Sequence, residues 1–217
     1  VNKFFSFALA GCLLIAAKFV FADGIPVELE NLSDEIRQAV IVEVTGKVTA
    51  RVSGWERKDS GWVQVINPVK AVIGRNGLAP LGEKREGDGR TPSGVFALRR
   101  AFGYEEKVAT GLAYQRVTER DFWVDAPDSL QYNQWVAGDV PQVSHEILRR
   151  SDDLYKYAIV IEYNADPVVP GMGSAIFLHV WRGAKKPTAG CVAMSEPSIL
   201  RFLQWLDAHR NPIIILK

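Results

Sequence analysis

Apolar residues in this chain come in short runs broken by glycine, proline and charge, a pattern that a β domain accommodates and a helical bundle does not. Residues 39–44 read as a buried strand. Residues 48–52 and 61–65 read as a hairpin turning at Lys58-Asp59-Ser60-Gly61, and residues 70–74 as another short strand. Further strands are expected at 95–98, at 122–125 as a strand edge, at 157–163 as a central strand, and at 213–216. Residues 75–90 are rich in glycine and mixed charge and form a loop, as do the aromatic stretch 128–135 and the connector 164–174. Short helices are expected around 33–38 and 143–150. From Pro197 to His209, Ile199, Leu200, Leu203 and Leu206 fall on one face of an amphipathic helix that Ser195 would cap.

The most informative stretch runs from Ile176 to Met194. In Ile176-Phe177-Leu178-His179-Val180-Trp181 the alternation sends Ile176, Leu178 and Val180 one way and Phe177, His179 and Trp181 the other. After eleven residues that separate it from His179, Cys191 follows Gly190 and opens a second short apolar segment. That is enough chain for the strand to turn and its neighbour to come back alongside, bringing thiol and imidazole together. A cysteine nucleophile needs such a base to take its proton. The intervening loop carries Arg182, Lys185 and Lys186 without an acid, a local positive field expected to favour thiolate and attract carboxylates. Arg182 is a candidate to hold a substrate carboxylate. Gly190 permits close backbone approach, so the amides near Gly190 and Cys191 are candidates for an oxyanion hole. The ordinary alternatives are a small buried cysteine, a hydrogen-bonded core histidine and a solvated basic loop.

These residues resemble the catalytic domain of the L,D-transpeptidases of YkuD type. The likeness rests on the apolar strand ending in His179, on Thr188-Ala189-Gly190-Cys191, and on three upstream stretches. These are residues 89–96 (Gly-Arg-Thr-Pro-Ser-Gly-Val-Phe), 128–133 (Asp-Ser-Leu-Gln-Tyr-Asn) and 171–179. Together they span roughly residues 38–217. The resemblance implies a mostly β fold, a YkuD-like β-sandwich with one or two short helices. It further implies an enzyme acting on peptidoglycan stem peptides, with Cys191 as nucleophile, His179 as base and Gly190 in the oxyanion site. Thr188 would stand at the substrate, and Tyr132 and Asn133 would line or brace the cleft. The acyl acceptor would be an amine on a second stem or on a protein. Where family members commonly carry Ser-His-Gly-Cys, this chain has Thr188-Ala189-Gly190-Cys191. The His179-to-Cys191 spacing is a few residues shorter, and Ala193 replaces a polar or basic residue. These departures bear on substrate choice and on whether the acyl group passes to an amine or to water. A hydrolase of stem peptides and a non-catalytic wall-binding module therefore stay open beside the transferase.

The chain has 217 residues, 47% hydrophobic, which suits one domain with a sizeable core. Residues 1–22 read as a secretory signal: a short basic start, an apolar run, and Val20-Phe21-Ala22 at the cleavage site. Lys18 interrupts the run, which argues against a stable membrane span. Leu9-Ala10-Gly11-Cys12 offers a competing lipobox, but the chain stays apolar beyond it, so a soluble periplasmic or secreted protein is expected. Residues 23–37 then form a lead segment before the domain. Removal of the signal leaves Cys191 as the one cysteine, with no internal disulfide available. The formal charge of +1 offers no basic excess for nucleic acid. His145 and His209 lack metal-ligand spacing, no Gly-x-Ser-x-Gly occurs, and no phosphate-binding loop is complete, so neither metal nor cofactor is expected.

Overall fold

The computed structural model describes residues 25–217, so the expected signal segment and the Cys12 lipobox lie outside the described residues. The strands are β1 (Gln38–Val44), β2 (Thr49–Lys58), β3 (Gly61–Val72), β4 (Gly94–Ala97), β5 (Arg100–Gly103), β6 (Ala113–Arg116) and β7 (Asp121–Val124). They continue with β8 (Trp135–Ala137), β9 (His145–Ile147), β10 (Tyr157–Val160), β11 (Phe177–Val180), β12 (Val192–Met194) and β13 (Ile213–Leu216). Two helices, α1 (Val27–Glu30) and α2 (Glu196–Trp205), and a 3-10 turn at Ala208–Arg210 complete the described elements. The fold is mostly β, as expected.

Ten strands form one sheet in the order β4-β13-β1-β2-β3-β12-β11-β10-β5-β6, and β8-β7-β9 form a second. The large sheet curls around α2. Val40 and Val42 of β1, Ile159 of β10, Leu178 of β11 and Met194 of β12 share one core with Ile199, Phe202 and Leu203 of the helix. Each such side chain contributes about 1.5–3 kcal/mol relative to exposure. The end of α2 is closed by Gln38, which is fully buried. Its amide Nε2 donates to Trp205 O at 2.8 Å, and its Oε1 accepts from Asp207 N at 2.9 Å. A second core lies on the opposite face of β5, β10 and β11, where Phe102, Ala158 and Phe177 meet Trp123 of β7 and Leu148. A third joins Leu29 of α1 to Ala39, Trp55, Trp62 and Ile213.

Several local expectations are corrected. Residues 33–38 are not helical. Too short to sustain a helix alone, the stretch turns and feeds Gln38 into β1, while Arg37 N–H donates to Arg210 O at 2.9 Å. Residues 143–150 are not helical either: β9 pairs antiparallel with β7, with Trp123 opposite Glu146 and Val124 opposite His145. Pairing with β7, and burial of Leu148, override the helical composition of the segment. Residues 70–72 end the long β3 rather than forming a separate strand, and Gly74 makes only an isolated bridge to Thr188. The strand at 122–125 is no edge, because β7 is the fully buried middle strand of its sheet. The predicted helix at 197–209 stops at Trp205, and Ser195 occupies its N-cap position without a side-chain cap bond. Among the described residues no helix is long and apolar enough to cross a membrane.

Candidate active site

The alternation in β11 holds in three dimensions. Ile176 and Leu178 join the α2 core, whereas Phe177 joins the opposite core that contains Cys191. The neighbouring strand β12 runs parallel to β11, with His179 opposite Ala193 and Leu178 opposite Val192. Continued by one residue, this register sets Cys191 beside Phe177, whose N–H donates to Cys191 Sγ at 3.3 Å. His179 is then the diagonal neighbour of Cys191 on the same face, a relation that spans roughly 7–8 Å and lies within reach of a long side chain. Both side chains line one cleft of about 300 Å³, together with Arg182, Thr188 and Ala193. Cys191 is 7% exposed and His179 5%, so both lie at the floor of the cleft rather than at its surface.

The turn before the cysteine is held by two threonines. Thr188 Oγ1 accepts from Gly190 N at 3.1 Å and donates to Cys191 O at 2.6 Å. Fully buried Thr91 donates from Oγ1 to Gly190 O at 2.7 Å and accepts from Gly74 N at 2.9 Å. Thr188 thus shapes the turn before Cys191 as well as lining the cleft. The Gly190 N–H, a candidate for the oxyanion site, is engaged by Thr188. A Cβ on Gly190 would stand 3.0 Å from Arg90 O and 3.2 Å from Ile176 Cδ1, so a larger residue would have to push these neighbours back by a few tenths of an ångström.

The thiol donates to Ala175 O at 3.3 Å. Ala175 is in the left-handed region at φ 52°, a conformation costing an L-residue about 1–2 kcal/mol. Asn133 holds it there. Its Oδ1 accepts from Ala175 N at 3.1 Å and Trp123 Nε1 at 2.9 Å, while Nδ2 donates to Tyr163 O and Asn164 O. Tyr132 donates from its hydroxyl to Glu86 Oε2 at 2.6 Å and accepts from Gly173 N at 3.0 Å. Both residues therefore brace the segment beneath the thiol, and neither is among the residues lining the cleft.

His179 Nδ1 lies 2.7 Å from Val180 O. A carbonyl only accepts, so Nδ1 carries the proton and Nε2 keeps its lone pair. Burial pushes the imidazole pKa down to about 4, opposed by the backbone carbonyls of Val180 and Leu154. Burial pushes the Cys191 thiol up to about 12, reinforced by the Glu146 carboxylate and opposed by the Phe177 amide, with lesser help from Lys84 and Arg150. The thiolate expected from the basic loop is thus overruled. Lys185 and Lys186 are exposed at the surface, and desolvation of the sulfur outweighs their field. At rest the pair is neutral thiol and neutral imidazole.

Several cleft residues were missed in the sequence. Tyr155, buried, stacks edge-on against His179 at 5.2 Å and Phe177 at 5.5 Å, and its hydroxyl donates to Glu146 Oε2. Arg150 lies over the Tyr155 ring at 5.2 Å and forms a two-pronged pair with Asp152, 2.8 Å at each prong. Asp152 also accepts from exposed Arg182 at 3.2 Å, and these pairings hold its carboxyl well below the usual range. Arg182 does line the cleft, but with Asp152 as its partner.

Comparison with known proteins bears on this arrangement. No curated protein matches the chain. One solved structure, described as the helical cell shape determining protein Pgp2 from Campylobacter jejuni, is similar at 17% identity and a TM-score of 0.47. The match covers 83% of this chain and 47% of that one, so this chain spans under half the length of that protein. The family described as L,D-transpeptidase catalytic domain (YkuD) matches residues 38–215, a span that contains β1 through β12, α2 and both members of the Cys191–His179 pair. This chain belongs to the YkuD family of L,D-transpeptidase catalytic domains.

Proposed function

We propose that the protein is an exported L,D-transpeptidase that acts on peptidoglycan stem peptides through a thioester on Cys191. The observation that carries this reading is that Cys191 and His179 share one face of adjacent parallel strands and open into one cleft. Family membership supplies the substrate class, and the apolar leader at residues 1–22 supports export to the periplasm or the medium.

In this mechanism Cys191 Sγ attacks the carbonyl between the L-centre of a diamino acid and the following D-alanine. The thiol proton passes to Nε2 of His179 as the S–C bond forms, so neither partner needs a standing charge. The imidazolium gives that proton to the leaving D-alanine amine as the C–N bond breaks. With Gly190 N–H turned to Thr188, the Cys191 N–H serves the developing oxyanion. An acceptor amine then attacks the thioester, its proton returning through His179, and a new amide leaves Cys191 as the thiol.

The test is to incubate the protein with purified tetrapeptide muropeptides and resolve the products by mass. Cross-linked dimers, lost in Cys191→Ala, are expected. Tripeptides alone would make water the acceptor, and unchanged muropeptides would reject the proposal.

A further inference from the structure

Glu146 is the unexplained group in the cleft. It lines the same cavity as Cys191 and His179 and is half-buried on β9, yet the mechanism above assigns it no task. Its Oε2 accepts from the buried Tyr155 hydroxyl, and no other side-chain hydrogen bond reaches the carboxyl among the described residues, which leaves Oε1 to the cavity. Arg150, the cavity cation whose charge acts on Glu146, has its Nε and Nη2 committed to Asp152 and does not form a salt bridge with Glu146. At the rim the balance reverses. Arg75 and Lys186 line the cavity, are exposed, and have no acidic partner among the described residues. A cavity with an acid on its wall and cations at its mouth matches a ligand that carries both an ammonium and a carboxylate.

Resting on the proposed function, we propose that Glu146 is the ammonium-binding residue of a subsite for the zwitterionic amino-acid end of the donor stem's diamino-acid side chain. Its Oε1 accepts from the ammonium while Arg75 and Lys186 face the carboxylate. Burial holds the carboxyl toward its neutral form against the field of Arg150, and an ammonium arriving against Oε1 adds the direct ion pair that Arg150 does not make. The alternative for Glu146 is a purely structural acceptor for Tyr155. Glu146→Gln separates the two, because glutamine keeps a carbonyl oxygen for the Tyr155 hydroxyl and loses the charge.

The experiment compares two donor tetrapeptides, one with the diamino acid intact and one whose side-chain amine is replaced by hydrogen. The rate of Cys191 thioester formation is followed by intact mass. A charge-assisted hydrogen bond predicts that the wild type prefers the intact donor by about 10- to 100-fold in kcat/KM. In Glu146→Gln that preference collapses to within a few-fold. Equal rates for the two donors in the wild type, or a preference that survives in Glu146→Gln, would overturn the subsite and leave the proposed function standing. Failure of both donors to acylate Cys191 in the wild type would overturn the proposed function and the subsite with it.

Discussion

Acidification to pH 4 tests the neutral resting pair through folding stability. His179 titrates at about 4 in the folded protein against 6.5 for an ordinary histidine. Between those values the unfolded chain binds a proton that the folded chain refuses, so stability falls as pH drops from about 6.5 to about 4. At 1.36 kcal/mol per unit, the difference is worth about 3 kcal/mol by pH 4, a large share of the stability of a typical domain. Other groups act in different windows or directions. The Asp152 carboxyl, held low by Arg150, loses its contribution only as pH falls through and below 3.8. Glu146, raised by burial, contributes at low pH and loses that contribution as pH rises. Urea unfolding of the wild type and of His179→Gln at half-unit steps from pH 7 to pH 4 isolates the histidine. The wild type should lose about 3 kcal/mol more than the variant over that range. Parallel curves would refute a buried neutral imidazole.

The remaining expectations concern the thiol and its supports. With its pKa near 12, Cys191 should react with iodoacetamide at a rate that climbs tenfold per pH unit to at least pH 10, and a plateau near pH 8.5 would contradict the buried thiol. Thr91→Val removes the hydroxyl that links Gly190 O to Gly74 N and leaves a buried donor unpaired. A loss of about 2–3 kcal/mol in urea unfolding is expected, with slower acylation of Cys191. Asn133→Leu strips four hydrogen bonds from a residue in the left-handed region (φ 55°). It should cost about 3 kcal/mol or more by the same assay, although Asn133 does not line the cleft.

Much of the site was legible because period-two alternation is a local signal. The face shared by Phe177 and His179, and the pairing of their strand with the segment after Cys191, follow from residues 176–194 alone. The direction of that pairing is corrected: a neighbour that turns and comes back would lie antiparallel, whereas β12 runs parallel to β11. Eleven intervening residues permit either sense, and the parallel register emerges only when β12 is also seen to pair with β3. The cleft wall was illegible for a different reason. Glu146 and Arg150 lie in a stretch with helical composition, and only pairing with β7 draws His145–Ile147 into a strand. The ionisation state was misread from a count of nearby basic residues. Such a count ignores desolvation, which dominates at a sulfur that is 7% exposed. Tyr132 and Asn133 were placed near the site by resemblance, and their role as braces needed the hydrogen bonds beneath Ala175.

Intact-mass measurement after exposure to a carbapenem tests the Cys191–His179 pair most directly, because ring opening by the thiol leaves the whole drug attached as a thioester. A single adduct on Cys191 is predicted, absent from Cys191→Ala and formed at least about 100-fold more slowly in His179→Gln. A folded wild type that forms no adduct, or a His179→Gln variant that is acylated at the wild-type rate, would contradict the account.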